Sequence, residues 1–197
     1  MFMNAALKEW SVAVDAIARG EQIILLRKGG ISEKQGRFRV AGGRVSGNQQ
    51  CDRVILFPTF EHQKPELLKP NYQSSVTPVA SGWHPEKITL KAWAEITHIF
   101  QTTEADKVHA LSDFHVWQPQ LVTDRLKWKP KQSLYVLALR AYRLENPIEL
   151  TWNSSLYGGC RSWVSLDQPI EVNTDRPALD TGTYNNQIKK IEEIIPF

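Results

Sequence analysis

Three groups of residues in this sequence combine the side-chain types that bind anions or move protons. The first is Arg27-Lys28-Gly29-Gly30, where two cations run into glycines whose backbone N–H groups can approach a ligand closely. That text suits an anion site, and it also suits a hairpin turn with exposed charges. The second is Pro58-Thr59-Phe60-Glu61-His62-Gln63-Lys64-Pro65, which sets a hydroxyl, a carboxylate, an imidazole, an amide and an ammonium in one segment. His62 can serve there as a general base or as a hydrogen-bond reader, with Glu61 or Lys64 setting its protonation. The alternative is a capped helical turn. The third couples Arg125, Lys127, Trp128 and Lys129 to Tyr157-Gly158-Gly159-Cys160-Arg161-Ser162-Trp163. Rings interleaved with cations suit base stacking and phosphate contact, although Trp128 and Trp163 also fit an ordinary core. Cys160 would need exposure and an activating neighbour to act as a nucleophile, and the sequence offers none.

Motifs that advertise an enzyme class are missing. There is no phosphate-binding Gly-x-x-x-x-Gly-Lys-Ser/Thr, no clustered Cys/His spacing for zinc and no Gly-x-Ser-x-Gly elbow. No catalytic residue, metal or cofactor is therefore assigned, and the two cysteines, Cys51 and Cys160, are expected to be free thiols of a reducing compartment.

The elements that must position these groups follow from periodicity. Leu7, Trp10, Val14 and Ile17 recur at helical spacing ahead of Gly20, which predicts a helix over 5–19 ending in a left-handed cap. Strands are predicted over 22–27 and 53–57, the second stopped by Pro58, which lacks a ladder donor. Residues 29–52 read as a hairpin or surface loop, and 66–68 as a single helical turn. Leu90, Ala92, Ala94, Ile96 and His98 alternate with polar or outward residues, predicting a half-buried strand over 88–99. Short helices over 103–111 and 119–126 lead to a strand over 133–143, then a short strand and a last helix carrying Ile188, Ile191 and Ile195. Because strands and helices do not alternate regularly, the expected fold class is α+β: a compact mixed, curved sheet or small PUA-like barrel with packed helices. One globular domain is expected over 1–166, with 167–197 as a carboxyl-terminal extension packed on it.

A chain of 197 residues with 42% hydrophobic content and seven tryptophans can build a core without metals or disulfides. No apolar run approaches the roughly 18 to 20 residues of a membrane helix, and Lys8, Glu9 and Asp15 interrupt the amino-terminal stretch, so a cytoplasmic, membrane-free chain is expected. The net charge of +3 is small but uneven: seven basic residues face two acidic ones between Arg19 and Arg44, and six face one between Trp117 and Arg143. Meeting in the fold, those windows make a positive face that attracts phosphates; apart, they are two solvated surfaces.

EWSVAVDAIARGEQIILLRKGGI, ILFPTFEHQKPELLKP, RLKWKPKQSLYVLALRAYRL and YGGCRSWVSL occur in that order, and together they resemble the domain-of-unknown-function 1802 family. The segment over 38–52 is longer than that family implies, and the stretch after Asp167 falls outside the resemblance. The family carries no assigned activity. Its association with restriction-endonuclease-type domains implies a link to restriction or nucleic-acid metabolism and a nuclease as partner, with oligomeric state left open. The opening also resembles the ASCH branch of the PUA-like superfamily, small barrels that mostly bind RNA or modified bases. Of its Gly-x-Lys-x-x-Glu-x-Arg pattern, Gly20 and Arg27 are present, but Gln22 and Leu25 stand in place of the lysine and glutamate. The resemblance thus implies binding and speaks against an ASCH-type amide hydrolase, which needs both for proton transfer. The expected function is a non-catalytic module for RNA or for single-stranded or modified DNA, its site drawn from Arg27, Lys28, Thr59, His62, Gln63, Lys64, Arg125, Lys127, Trp128, Lys129 and Arg161. The rivals are an enzyme using His62 and a protein-interaction domain.

Overall fold

The structure is a computed structural model that describes residues 1–28, 52–128, 130, 132–172 and 176–196. Its strands are β1 (Phe2–Trp10), β2 (Ile24–Arg27), β3 (Asp52–Thr59), β4 (Lys87–Thr102), β5 (Leu134–Thr151) and β6 (Trp163–Glu171). Its helices are α1 (Ser11–Arg19), α2 (Pro70–Gln73), α3 (Ala105–Ala110), α4 (Pro119–Lys127), α5 (Ser154–Tyr157) and α6 (Thr181–Ile194). Single 3-10 turns lie at Pro65–Leu67 and Ser112–Phe114. All six strands form one sheet in the order β2-β5-β4-β3-β1-β6. Only β1 and β3 run parallel among the paired strands; the rest are antiparallel, so the sheet is mixed and the class is α+β.

The first predicted helix is half strand. Residues 2–10 form β1 and the helix begins at Ser11. In β1, Ala6, Leu7, Lys8 and Glu9 are all buried, because β3 and β6 flank the strand and both its faces are covered. A strand covered on both faces loses the alternation that would reveal it. Gly20 closes α1 as expected: it adopts φ 78° and its N–H donates to the Ile17 carbonyl at 3.0 Å. Pro58 does not end its strand. β4 pairs only with 52–55, so at Pro58 the missing donor interrupts one neighbour's ladder at most. β5 continues eight residues past the expected end at Arg143, to Thr151, and crosses Pro147 at an irregularity where the register steps from Arg143 to Ile148. The expected hairpin over 29–52 lies outside the described residues, apart from Asp52, which opens β3.

Apolar side chains gather in three clusters. One joins Val12, Ala13 and Ala16 of α1 to Val108, Trp117, Leu121 and the α6 residues Tyr184, Ile188 and Ile191. A second sets Val14 and Ile17 on the sheet residues Leu7, Leu25, Leu56 and Ala92. The third holds Met3, Phe57 and Trp93 with Tyr157 of α5. Trp10 does not join Val14 and Ile17 as the helical spacing implied. It meets Trp117 edge-on at 5.0 Å on the first cluster, because it ends a strand rather than occupying a helix face.

Candidate anion-binding cleft

In the sheet β2 and β1 are separated by β5, β4 and β3. Arg27 nevertheless donates from Nη2 to the Lys8 carbonyl at 2.7 Å and pairs with Glu9 Oε2 at 2.9 Å. The sheet therefore curls until its β2 edge faces the carboxyl end of β1. Parallel pairing of β1 with β3 sets Trp10 opposite Thr59, and Thr59 Oγ1 donates to the Glu9 carbonyl at 3.0 Å, so the loop leaving β3 opens at the same place. The loop entering β6 arrives from the other side, with the Lys8 N–H donating to the Ser162 carbonyl at 2.8 Å. Between these ends lies a cleft of about 200 Å³ lined by Lys8, Glu9, Trp10, Arg27, Thr59, Glu61, His62, Arg125 and residues 159–162.

Lys8, Arg161 and the Glu9–Arg27 pair are committed to the frame. Lys8 Nζ donates to the carbonyls of Tyr157 at 2.6 Å and Gly159 at 2.9 Å, fastening the 157–162 loop to β1. Burial holds the pKa of this ammonium below the ordinary lysine value, and Arg161 pushes it the same way, against Glu61 and Cys160. Arg161 itself wraps the carbonyls of Ser155, Leu156 and Gly158, the loose end of α5. Glu9 is nearly enclosed and fully engaged, taking the Trp10 N–H at 2.9 Å as well as Arg27. Arg125 has no such engagement. It reaches the cleft half-buried, and among the described residues its Nε has no hydrogen-bond partner and no ion pair holds its guanidinium. Burial lowers its pKa from the ordinary arginine value, opposed by Glu9 and assisted by Arg27. Arg27 Nε is likewise buried without an acceptor among the described residues. Four cationic side chains thus face the carboxylates of Glu9 and Glu61.

Of the residues singled out in the sequence, Arg27, Thr59, His62, Arg125 and Arg161 converge on this cleft. The others do not line it. Lys28 is buried, its Nζ donating to the Leu126 carbonyl at 2.6 Å, a bond that ties the end of β2 to the last turn of α4 and joins the two basic windows. Gln63 is buried beneath α1, where its amide pairs with Ser11 Oγ and its Oε1 accepts the Val12 N–H at 3.4 Å, capping a helix whose own first residues offer no cap. Lys64 and Lys127 point to solvent, and Trp128 is 55% exposed at the carboxyl cap of α4. Lys129 lies outside the described residues. His62 is exposed at φ 60° and makes no side-chain hydrogen bond among the described residues, and Cys160 is exposed in the cleft wall. Lys8 and Glu9 were missed: as part of a helix they read as solvent charges. Among the described residues, no group of three or more His, Cys, Asp or Glu side chains could hold a metal, and no helix is long and apolar enough to cross a membrane.

A family model described as "Domain of unknown function (DUF1802)" matches residues 6–190. The chain belongs to that family. The match runs beyond Asp167, so the family likeness takes in the end of β6 and α6 as far as Lys190, which the sequence resemblance had left outside. No curated protein matches the sequence. Among solved structures, the crystal structure of ASCH from Zymomonas mobilis is similar at TM-score 0.43 and 11% identity over 94% of this chain and 93% of that one. A serine-to-alanine mutant of the same protein gives 0.43 and 11% over 97% and 95%. Within the DUF1802 chain, the ASCH-pattern positions divide in role. Gln22 is buried and bonds the Ile24 carbonyl and the Val116 N–H, Leu25 is fully buried, and Arg27 alone among the four lines the cleft.

Proposed function

We propose that this cleft is an anion site that takes nucleic-acid phosphate, and that the DUF1802 chain is a non-catalytic nucleic-acid-binding module. The carrying observation is Arg125. A half-buried guanidinium whose buried Nε has no acceptor among the described residues is costly, and an oxyanion beside it would offset that cost through charge-assisted hydrogen bonds. Lys8, Arg27 and Arg161 add to the field at the same place, while Glu9 is already neutralised by Arg27. Walls built from strand ends and anchored loops favour a preorganised site over an adaptable surface. The enzyme reading has less support, since a general base needs an orienting partner and His62 has no side-chain hydrogen bond among the described residues.

Fluorescence anisotropy with a labelled single-stranded oligonucleotide, titrated over a range of salt, tests the reading. Each phosphate neutralised releases counterion, so log Kd should rise linearly with log salt, and Arg125→Ala should weaken binding and lower that slope by about 1. Arg125 is the position to change, because removing Arg27 also breaks the pair with Glu9. Binding that ignores salt, or none in the unaltered protein, would refute the proposal.

A further inference from the structure

Beside the cleft, the turn over 80–84 carries Trp83, which is 46% exposed. Among the described residues, the exposed large hydrophobics are Met1, Phe2, Trp83 and Trp128. The Trp83 turn is firmly held. Gly82 adopts φ 83° and its N–H donates to Glu61 Oε1, a carboxylate of the cleft wall. The Trp83 N–H closes the turn on the Ala80 carbonyl at 3.1 Å, and the His84 ring stacks on Trp152 at 4.2 Å and 22°. The Trp83 ring itself stands edge to face with Phe60, centroids 6.1 Å apart, and Phe60 is the residue between cleft-lining Thr59 and Glu61. An indole kept in water on a turn anchored at three points is a preorganised flat surface that the core does not use. A base stacked on it would bury the exposed part of the ring. Trp128 is also exposed, at the carboxyl cap of α4.

We infer that Trp83 is a stacking platform for an unpaired base of the strand whose phosphate occupies the Arg125 cleft, so that the ligand is single-stranded nucleic acid. This rests on the proposed phosphate site and adds to it the recognition of a base. A duplex keeps its base faces covered by neighbours, and a bare sugar-phosphate chain has none to offer, so both engage the cleft without the platform.

The experiment compares the unaltered protein, Trp83→Ala and Trp83→Phe on two oligomers of about eight nucleotides, one of unstructured single-stranded DNA and one of abasic deoxyribose phosphate. Trp83→Ala should weaken the base-bearing oligomer about 5- to 100-fold and leave the abasic one unchanged, while Trp83→Phe retains most of the affinity. Indole fluorescence of the unaltered protein should be quenched by the base-bearing oligomer only. If Trp83→Ala binds both oligomers as the parent does, or loses both equally, the platform is refuted while the phosphate site stands. If the parent binds neither, the phosphate site itself is refuted and the platform with it. Unchanged thermal melting of Trp83→Ala, expected of an exposed side chain, separates these outcomes from misfolding.

Discussion

Acidification should destabilise this protein through one buried imidazole. His115 is 3% exposed in the segment joining the Ser112–Phe114 turn to α4. Its Nδ1 accepts the Trp117 N–H at 3.2 Å, which puts the proton of the neutral ring on Nε2, a buried atom with no acceptor among the described residues. Burial, reinforced by the Lys69 ammonium and by His109, pushes its pKa down from 6.5 to about 3. In the unfolded chain the ring takes a proton below pH 6.5, and in the folded chain only near pH 3, so between those values the unfolded state binds more protons. Stability is therefore complete above pH 6.5 and is lost as pH falls through the window down to about 3. At about 1.36 kcal/mol per pKa unit, the loss between pH 7 and pH 5 is about 2 kcal/mol. Other groups titrate in the same range, so the measurement is a difference. His115→Asn keeps an acceptor near the Nδ1 position and cannot be protonated. Urea unfolding at pH 7, 6 and 5 should show the parent losing about 2 kcal/mol more than the variant over that span. Parallel pH dependences in the two proteins would refute the assignment.

Two further outcomes test the frame around the cleft. Arg27→Met should cost about 3–5 kcal/mol, because it strands Glu9 as an unpaired buried carboxylate, and Arg27→Met combined with Glu9→Gln should recover much of that in the same urea assay. Gly20→Ala should lower the melting temperature by an amount equivalent to about 1–3 kcal/mol: φ 78° disfavours a side chain, and the new Cβ would stand 2.7 Å from the Ala178 carbonyl oxygen.

What the sequence disclosed depended on whether a feature was local. The β4 alternation was legible because Ala92, Ala94 and Ile96 face one apolar cluster, although Leu90 joins another with Trp93, which is fully buried rather than outward, and the Gly20 cap was legible because a left-handed residue after an apolar helix has few substitutes. β1 was not, since it is enclosed on both faces and its buried Lys8 and Glu9 imitate the polar side of a helix. The cleft residues were legible as types, cations and polar groups on loops, but not as a group. Arg27 reaches Ser162 across 135 positions of sequence only because the sheet curls, and curl belongs to the whole sheet rather than to any segment. The same curvature decides which candidates stay free. At the closure, side chains are needed to bind strand ends to one another, and Lys28 and Gln63 are consumed by carbonyls and a helix terminus that no local pattern reveals. Trp83 escaped notice for the opposite reason: it sits among Ser, Gly and Pro, where the text reads as a break between elements, although Glu61, Phe60 and Trp152 fix that turn from outside its own sequence. A charge inside an apolar run, such as Lys8-Glu9 between Leu7 and Trp10, is the one local signal that points beyond itself. Once buried it must find a partner, and here the search for partners leads to Arg27, to the 157–159 carbonyls, and so to the cleft.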